Sequence, residues 1–460
     1  MMLSIEWYGL RVKNNINIYP HYIFIQGVTM NKKVLFSVFI VCLFLGSVML
    51  SGCVEEPNVG DGVYESPNGA GVLQVENGVR VLKLSGSNYE MGYAHGYLLA
   101  EEIIYTLDNF VFWSAFLLGQ DYDELVSNMQ FIDWQECYED ELQGMLDGIR
   151  DRLPLKDRKV HPKGFGKEVD LVDLKIANSV SDWGCSSFSS WGNATFDGSL
   201  IFARNLDYYA GRNECFKKMH LLVSFDDGIS QRWVTASICG FIGCISGMNE
   251  QGMVLALHDT NHFSSSSSTG YVPRCLILRK MAEQANESWT PAIVADQMES
   301  YPGYLGMNLH VCFPALGRTD DKISGIVEFD GNALHDDGQS TLRIPTDNDM
   351  LPVDEDFDQR LNYSHSLICT NHYLKRKTDI YNETAGRYVI IKRDLAAAKA
   401  DGNVSIDEAL EIMEAVGDAG TIHTTLFRPD QKRLHFYLAE VGAGGFDSAG
   451  IIFDFDDFFV

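Results

Sequence analysis

Short apolar runs joined by turn residues after residue 185, helical periods grouped before and behind them, and no regular strand–helix alternation predict an α+β fold. A parallel doubly wound sheet would need that alternation. At 460 residues and 46% hydrophobic content, the chain suffices for one large or two ordinary domains with a substantial core.

In chain order, residues 1–53 read as an extension and a signal. Lys32-Lys33 precede an apolar run from Val34 to Met49 that ends at Leu50-Ser51-Gly52-Cys53. This is the pattern of a bacterial-type lipoprotein signal, cleaved so that Cys53 carries lipid. The other reading is an uncleaved anchor, because the run approaches the ~20 apolar residues that span a bilayer. Either way the rest of the chain is expected outside the cell, held at the outer face of the cytoplasmic membrane. Residues Met1 to Thr29 precede a second start at Met30 and read as an extension. Residues 54–71, rich in Gly, Pro, Asn and Glu without apolar period, read as a tether.

Residues 72–184 are expected to be helical. Ser87-Asn88-Tyr89-Glu90 is a capping box that starts a helix running towards Leu118, with Gly92 and Gly96 one turn apart for close backbone packing. Further helices are expected from Trp134 to Arg152 and from Leu171 to Ser179. From Cys185 to the end at Val460 the pattern becomes hairpins. Cys185 to Trp191 and Leu200 to Leu206 flank Asn193 to Gly198, while His220 to Phe225 and Arg232 to Ile238 flank Asp226-Asp227-Gly228. Met253 to His258 follows a turn at Asn249 to Gly252. Helices return at Arg274 to Ala285, Pro291 to Ser300, Thr384 to Ala400 and Ile406 to Val416, the last behind the capping box Ser405 to Glu408. Ile422 to Phe427 and Leu434 to Leu438 flank the turn Arg428-Pro429-Asp430. Ser264 to Ser268 and the acidic stretch Asp347 to Asp358 read as loops.

Composition excludes some partners. With 36 basic and 63 acidic residues the net charge is −27, so nucleic acid is not expected as a partner. Ten cysteines contain no Cys-x-x-Cys pair, so neither zinc ribbons nor thioredoxin-type chemistry is supported. Cys239 and Cys244 are close enough in sequence to pair in an oxidising compartment, but their apolar setting favours buried thiols. Cys137, Cys215, Cys275, Cys312 and Cys369 read as core.

The chemistry concentrates at Trp183-Gly184-Cys185, followed by Arg204-Asn205-Leu206-Asp207. Cutting the Gly184–Cys185 bond would give Cys185 a thiol and a free α-amine together. An α-amine with a pKa of ~7.7–8.0 is partly neutral near pH 7 and can take the thiol proton without a histidine. Gly184 suits a strained scissile position because it lacks a Cβ. The Arg204 fork can hold a thiolate and a carboxylate at once, and Asp207 can receive the α-ammonium. Taken singly, the thiol reads as a core cysteine and the Arg-x-x-Asp as an ion pair at a hairpin end.

These motifs occur in a fixed order with Gly86 to Gly92 and His95-Gly96 upstream, and with Gly247 to Gly252 and Thr370-Asn371-His372 downstream. In that order, from about Leu82 to about Leu438, the chain resembles the penicillin acyltransferase-like branch of the N-terminal nucleophile hydrolases, the acyl-coenzyme A:6-aminopenicillanic acid acyltransferase type. The resemblance implies a four-layer αββα sandwich of two antiparallel sheets between helices. It implies self-cleavage at Gly184–Cys185, and hydrolysis or transfer of an acyl group held as a small-molecule amide through a thioester on Cys185. An acceptor amine or an acyl thioester donor would serve the transfer. No metal and no organic cofactor is implied. Asn371 matches the family asparagine that donates its amide to the oxyanion, a donor worth ~3–4 kcal/mol. The second donor falls where this chain has His258 or Asp259 in place of the expected asparagine. His95 reads as a packed or capping histidine.

Two activities of the wider superfamily, dipeptidase and phospholipase-like, fit the same motifs. A papain-like pair of Cys185 and His372 without cleavage is a separate reading. A solute-binding lipoprotein without catalysis is a reading of another class.

Overall fold

The computed structural model describes residues 56–459 except 180–183, 264–269, 304, 332–337, 351–357, 362–363, 377–381, 419, 440 and 442–449, together with 18–19 and 22–23. Cys53, the apolar run before it and the serine-rich loop therefore lie outside the described residues, as does most of the acidic stretch. The chain divides into two compact units, Met1–Cys53 and Val54–Val460. In the first, Ile18–Tyr19 pairs antiparallel with Tyr22–Ile23. Among the described residues no helix is long and apolar enough to cross a membrane.

The second unit is a mixed helix-and-sheet body with two large sheets. Ten strands run, from one edge, Ser340–Arg343, Ser324–Phe329, Leu305–Cys312, Val254–Phe263, Ser246–Asn249, Trp233–Ile238, His220–Asp226, Val79–Ser85, Gly71–Glu76 and Gly62–Glu65. Six strands run Ser366–Cys369, Gly184–Ser190, Ile201–Asp207, Thr421–Arg428, Arg433–Leu438 and Ile451–Asp454. Every neighbouring pair is antiparallel except His220–Asp226 with Val79–Ser85, which is parallel.

Three apolar cores hold this body together. One packs the helices of residues 88–179 and 274–298 on the ten-stranded sheet. The second joins the two sheets through residues such as Leu222, Val234 and Ile326 against Phe202, Leu367 and Phe427. A third packs Asn382–Asp401 and Ile406–Ala415 on the six-stranded sheet through Phe188, Ile368, Tyr388 and Ile412.

The early chain differs from its expected pattern. Strand Gly62–Glu65 lies within the segment read as a tether, Gly71–Glu76 begins at that segment's last residue, and Val79–Ser85 lies within the segment read as helical. Val63 and Tyr64 are exposed on the outermost strand, so no apolar period marks it. The Ser87 capping box forms. The helix it starts is interrupted, however, running as Asn88–Leu98, Ala100–Thr106, a π-helical turn at Leu107–Val111 and Phe112–Leu117.

The paired glycines do bring helices into backbone contact. A Cβ on Gly92 or Gly96 would lie 1.9 or 2.0 Å from the carbonyl oxygens of Glu141 and Met145, on helix Glu136–Arg152. Gly144 and Gly148 return the same approach from the other side. Buried Arg279, on helix Arg274–Gln284, ties that helix to its own, pairing at 2.7 Å with Glu141 and with Glu283 of its own helix, and its guanidinium lies over the rings of Tyr138 and of Phe225 on the sheet. Cys239 and Cys244 are free buried thiols, and Cys137, expected in the core, is half-buried.

Candidate functional site

Strand register explains how the candidate residues meet. Strands Gly184–Ser190 and Ile201–Asp207 pair with Cys185 opposite Leu206, Ser187 opposite Arg204 and Gly184 opposite Asp207. Side chains alternate across a sheet, so Cys185 and Arg204 are diagonal neighbours on the face towards the ten-stranded sheet, while Asp207 lies on the other face. Neither Cys185 nor Arg204 has any solvent exposure. Arg204 reaches across the sheets: Nη1 donates to Ser246 Oγ, and Nη2 donates at 2.8 Å to Cys185 Sγ and at 2.8 Å to Leu257 O.

The backbone of Cys185 would pair with strand Ser366–Cys369, but that strand ends two residues too early. Cys369 is opposite Ser187, so continuing the register would bring Asn371 opposite Cys185. Side chains supply the missing ladder bonds there. Asn371 Oδ1 accepts the Cys185 N–H at 2.8 Å, and Arg387 Nη1 donates to Cys185 O at 2.8 Å. Arg387 Nη2 also donates to Asn371 Oδ1 at 2.8 Å, and Nη1 lies 3.4 Å from Asp207 Oδ2. Thr421 Oγ1 donates to Asp207 Oδ1 at 2.7 Å, beside a bulge in its strand. The partners fix the Asn371 amide orientation, because its Nδ2 donates to the carbonyl of Asp259 at 2.7 Å.

One bonded cluster thus contains Cys185, Arg204, Asp207 and Asn371, with Arg387 as a central member that motif reading misses. Arg387 sits inside helix Asn382–Asp401, far from any motif, and in sequence a helical arginine looks like a surface residue. Asp259 enters through its backbone carbonyl, and its carboxylate pairs with Arg274 at 2.7 Å. His258 is fully buried, and burial followed by repulsion from Arg204 pushes its pKa well down. His372 is also held neutral. Its ring bonds Thr370 and Thr384 and lies 3.4 Å from Gln359, and burial lowers it to about 3. His95 packs in the core and its Nε2 accepts the Gly240 N–H at 3.1 Å. Gly184 opens the strand, paired opposite Asp207.

The electrostatics separate two groups. Burial pushes the Cys185 thiol up to about 11, with Arg204 pulling it down. Burial also raises Asp207 to about 6, opposed by Arg387 and by the Thr421 hydrogen bond. In the uncut chain the thiol is therefore protonated at neutral pH, and a base must arrive before it becomes a nucleophile. Among the described residues no cluster of three or more His, Cys, Asp or Glu is placed to hold a metal ion.

No family model matches the chain. An uncharacterized protein of Archaeoglobus fulgidus is 25% identical over 247 residues, which is 48% of this chain and 39% of that protein. The chain thus spans well under two thirds of the curated relative it matches. Similar solved structures include a Caenorhabditis elegans N-acylethanolamine-hydrolyzing acid amidase ortholog, 14% identical over 58% of this chain and 100% of that one, with a TM-score of 0.38. Penicillin V acylase from Agrobacterium tumefaciens is 14% identical over 55% of this chain and 83% of its own, with a TM-score of 0.35. A mutant conjugated bile acid hydrolase from Clostridium perfringens is 11% identical over 59% and 93%, with a TM-score of 0.32.

Proposed function

We propose that the chain is a cysteine N-terminal nucleophile hydrolase or acyltransferase, built as a four-layer αββα sandwich, that cuts itself at Gly184–Cys185 and then acts on a small-molecule acyl amide. One observation carries the reading. Cys185 is bonded at its thiol by Arg204 and at its own N–H by Asn371, each at 2.8 Å, so nucleophile and scissile nitrogen are both held. A core cysteine needs neither contact.

In the first step Sγ attacks the Gly184 carbonyl carbon as the thiol gives up its proton, the C–N bond breaks, and that proton passes to the departing Cys185 nitrogen, which leaves as an amine. Water then hydrolyses the resulting Gly184 thioester and returns the thiol. In turnover the freed α-amine accepts the thiol proton, the thiolate attacks the substrate carbonyl, and Asn371 donates to the oxyanion through the second N–H of Nδ2, the first being held by the Asp259 carbonyl. The leaving amine takes the proton, and water or an acceptor amine resolves the acyl-thioester. Arg387 donates to Cys185 O and lies 3.4 Å from Asp207 Oδ2, which supports Asp207 as the counter-charge of the new ammonium. Hydrolysis, transfer from an acyl thioester donor, and the dipeptidase and phospholipase-like variants share these steps. Attachment to the outer face of the cytoplasmic membrane through lipid on Cys53 or an uncleaved anchor completes the proposal.

The papain-like alternative is disfavoured by His372, whose ring is engaged by Thr370, Thr384 and Gln359. The test is acid-quenched mass spectrometry with a panel of N-acyl amides. The reading expects an acyl adduct on the peptide that begins at Cys185, absent in Cys185→Ala. Turnover that survives Cys185→Ala would exclude it, and so would saturable binding of a solute by a chain that never splits.

A further inference from the structure

Asn371 lies two residues beyond the last residue of strand Ser366–Cys369, past the end of its ladder with Gly184–Ser190. The ten-stranded sheet supplies the grip instead. His258, Asn308 and Glu328 are register partners on three neighbouring strands, forming one polar row. Two members of this row hold the loop. Asn308 Nδ2 donates to Thr370 O at 3.0 Å and to His372 O at 2.8 Å, the carbonyls on either side of Asn371. Both partners are acceptors, so the amide can face only one way.

Glu328 holds the next stretch of backbone. Its Oε1 accepts the Leu374 N–H at 3.0 Å, and its Oε2 accepts those of Lys375 at 2.9 Å and Arg376 at 2.8 Å. Arg343 Nε donates to the same carboxylate at 3.2 Å, and its Nη2 donates to Ile368 O at 3.0 Å, just before the loop. Asn308 and Glu328 have no solvent exposure. Three consecutive N–H groups around one buried carboxylate make a rigid anion nest.

We propose that Asn308 is a positioning residue for Asn371, with Glu328 as the second jaw of the same clamp. The proposal rests on the reading of Asn371 as an oxyanion donor. A backbone carbonyl on each side of Asn371 is tied to one side chain, so the Asn371 amide has little freedom to swing away from the Cys185 nitrogen. Catalytic geometry must be held to a fraction of an ångström, which a free loop does not provide.

The experiment measures the first-order rate of self-cleavage at Gly184–Cys185 in the full chain by intact mass, with thermal unfolding as a folding control. Asn308→Leu keeps the shape and removes both donors. It is expected to slow cleavage ~10-fold while remaining folded, and Asn371→Ala alone ~100-fold. The double variant should be no slower than Asn371→Ala, because Asn308 acts only through Asn371. Glu328→Gln, a second probe that keeps the volume, should slow cleavage ~3-fold with the same non-additivity. Losses that multiply in the double variants would make the clamp merely structural. Unchanged rates in folded Asn308→Leu and Glu328→Gln beside a slow Asn371→Ala would overturn this proposal alone. A fast Asn371→Ala would overturn the oxyanion reading and the clamp with it.

Discussion

Replacing Arg204 by lysine keeps the charge and removes the fork, and the structure sets the size of the effect. The guanidinium serves Ser246 Oγ from Nη1, and from Nη2 it serves Cys185 Sγ and Leu257 O, both at 2.8 Å. An ammonium gathers its donors on one atom and cannot span the two sides. One lost hydrogen bond to a charged group costs ~1.5–3 kcal/mol. If that bond is lost at the attacking thiolate, the rate falls ~10- to 100-fold. The thiol has little margin, since burial already pushes it up to about 11 and Arg204 is the largest opposing influence. Self-cleavage reads this without any knowledge of the substrate: intact mass follows the chain that begins at Cys185, and circular dichroism confirms folding. Folded Arg204→Lys that cleaves within about threefold of wild type, a difference of under ~0.7 kcal/mol, would show that Arg204 does not govern the nucleophile.

Asn371→Ala should fold and lower kcat ~100-fold, and a loss under about threefold rejects the oxyanion role. Asp207, raised to about 6 in the uncut chain, should give the rate of self-cleavage an acid limb near that pH, which Asp207→Asn removes; a limb that persists in the variant belongs to another group. As for stability, a raised carboxyl favours the fold in its protonated form, so this contribution is present below ~4 and lost as pH rises through about 6. Urea midpoints across pH 4 to 7 in wild type and Asp207→Asn check it, the variant losing less. Gly92→Ala would place a Cβ 1.9 Å from Glu141 O, so the helices must separate, costing ~3 kcal/mol. A variant with unchanged Tm would deny the close approach.

The hairpins and the two capping boxes were legible because turn residues and Ser-x-x-Glu act locally. The strands Leu305–Cys312 and Ser324–Phe329 were not. They are buried on both faces, so the alternation that reveals a half-exposed strand is absent. Strand Ser246–Asn249 was not legible either, because Gly247, where a Cβ would lie 2.7 Å from Val234 O, offers no side chain to the pattern. At the site, Cys185, Arg204, Asp207 and Asn371 were legible as an ordered set of motifs. Arg387, Asn308 and Glu328 were not, since each gains meaning only from the register that stops strand Ser366–Cys369 short of Cys185.

The central claim is that Cys185 becomes a chain terminus. N-terminal sequencing with intact mass of the purified protein, beside Cys185→Ala, tests it most directly. The account predicts one chain ending at Gly184 and another beginning at Cys185 in the wild type, and an uncut chain in the variant. An active wild-type preparation in which Gly184 and Cys185 remain joined would contradict it.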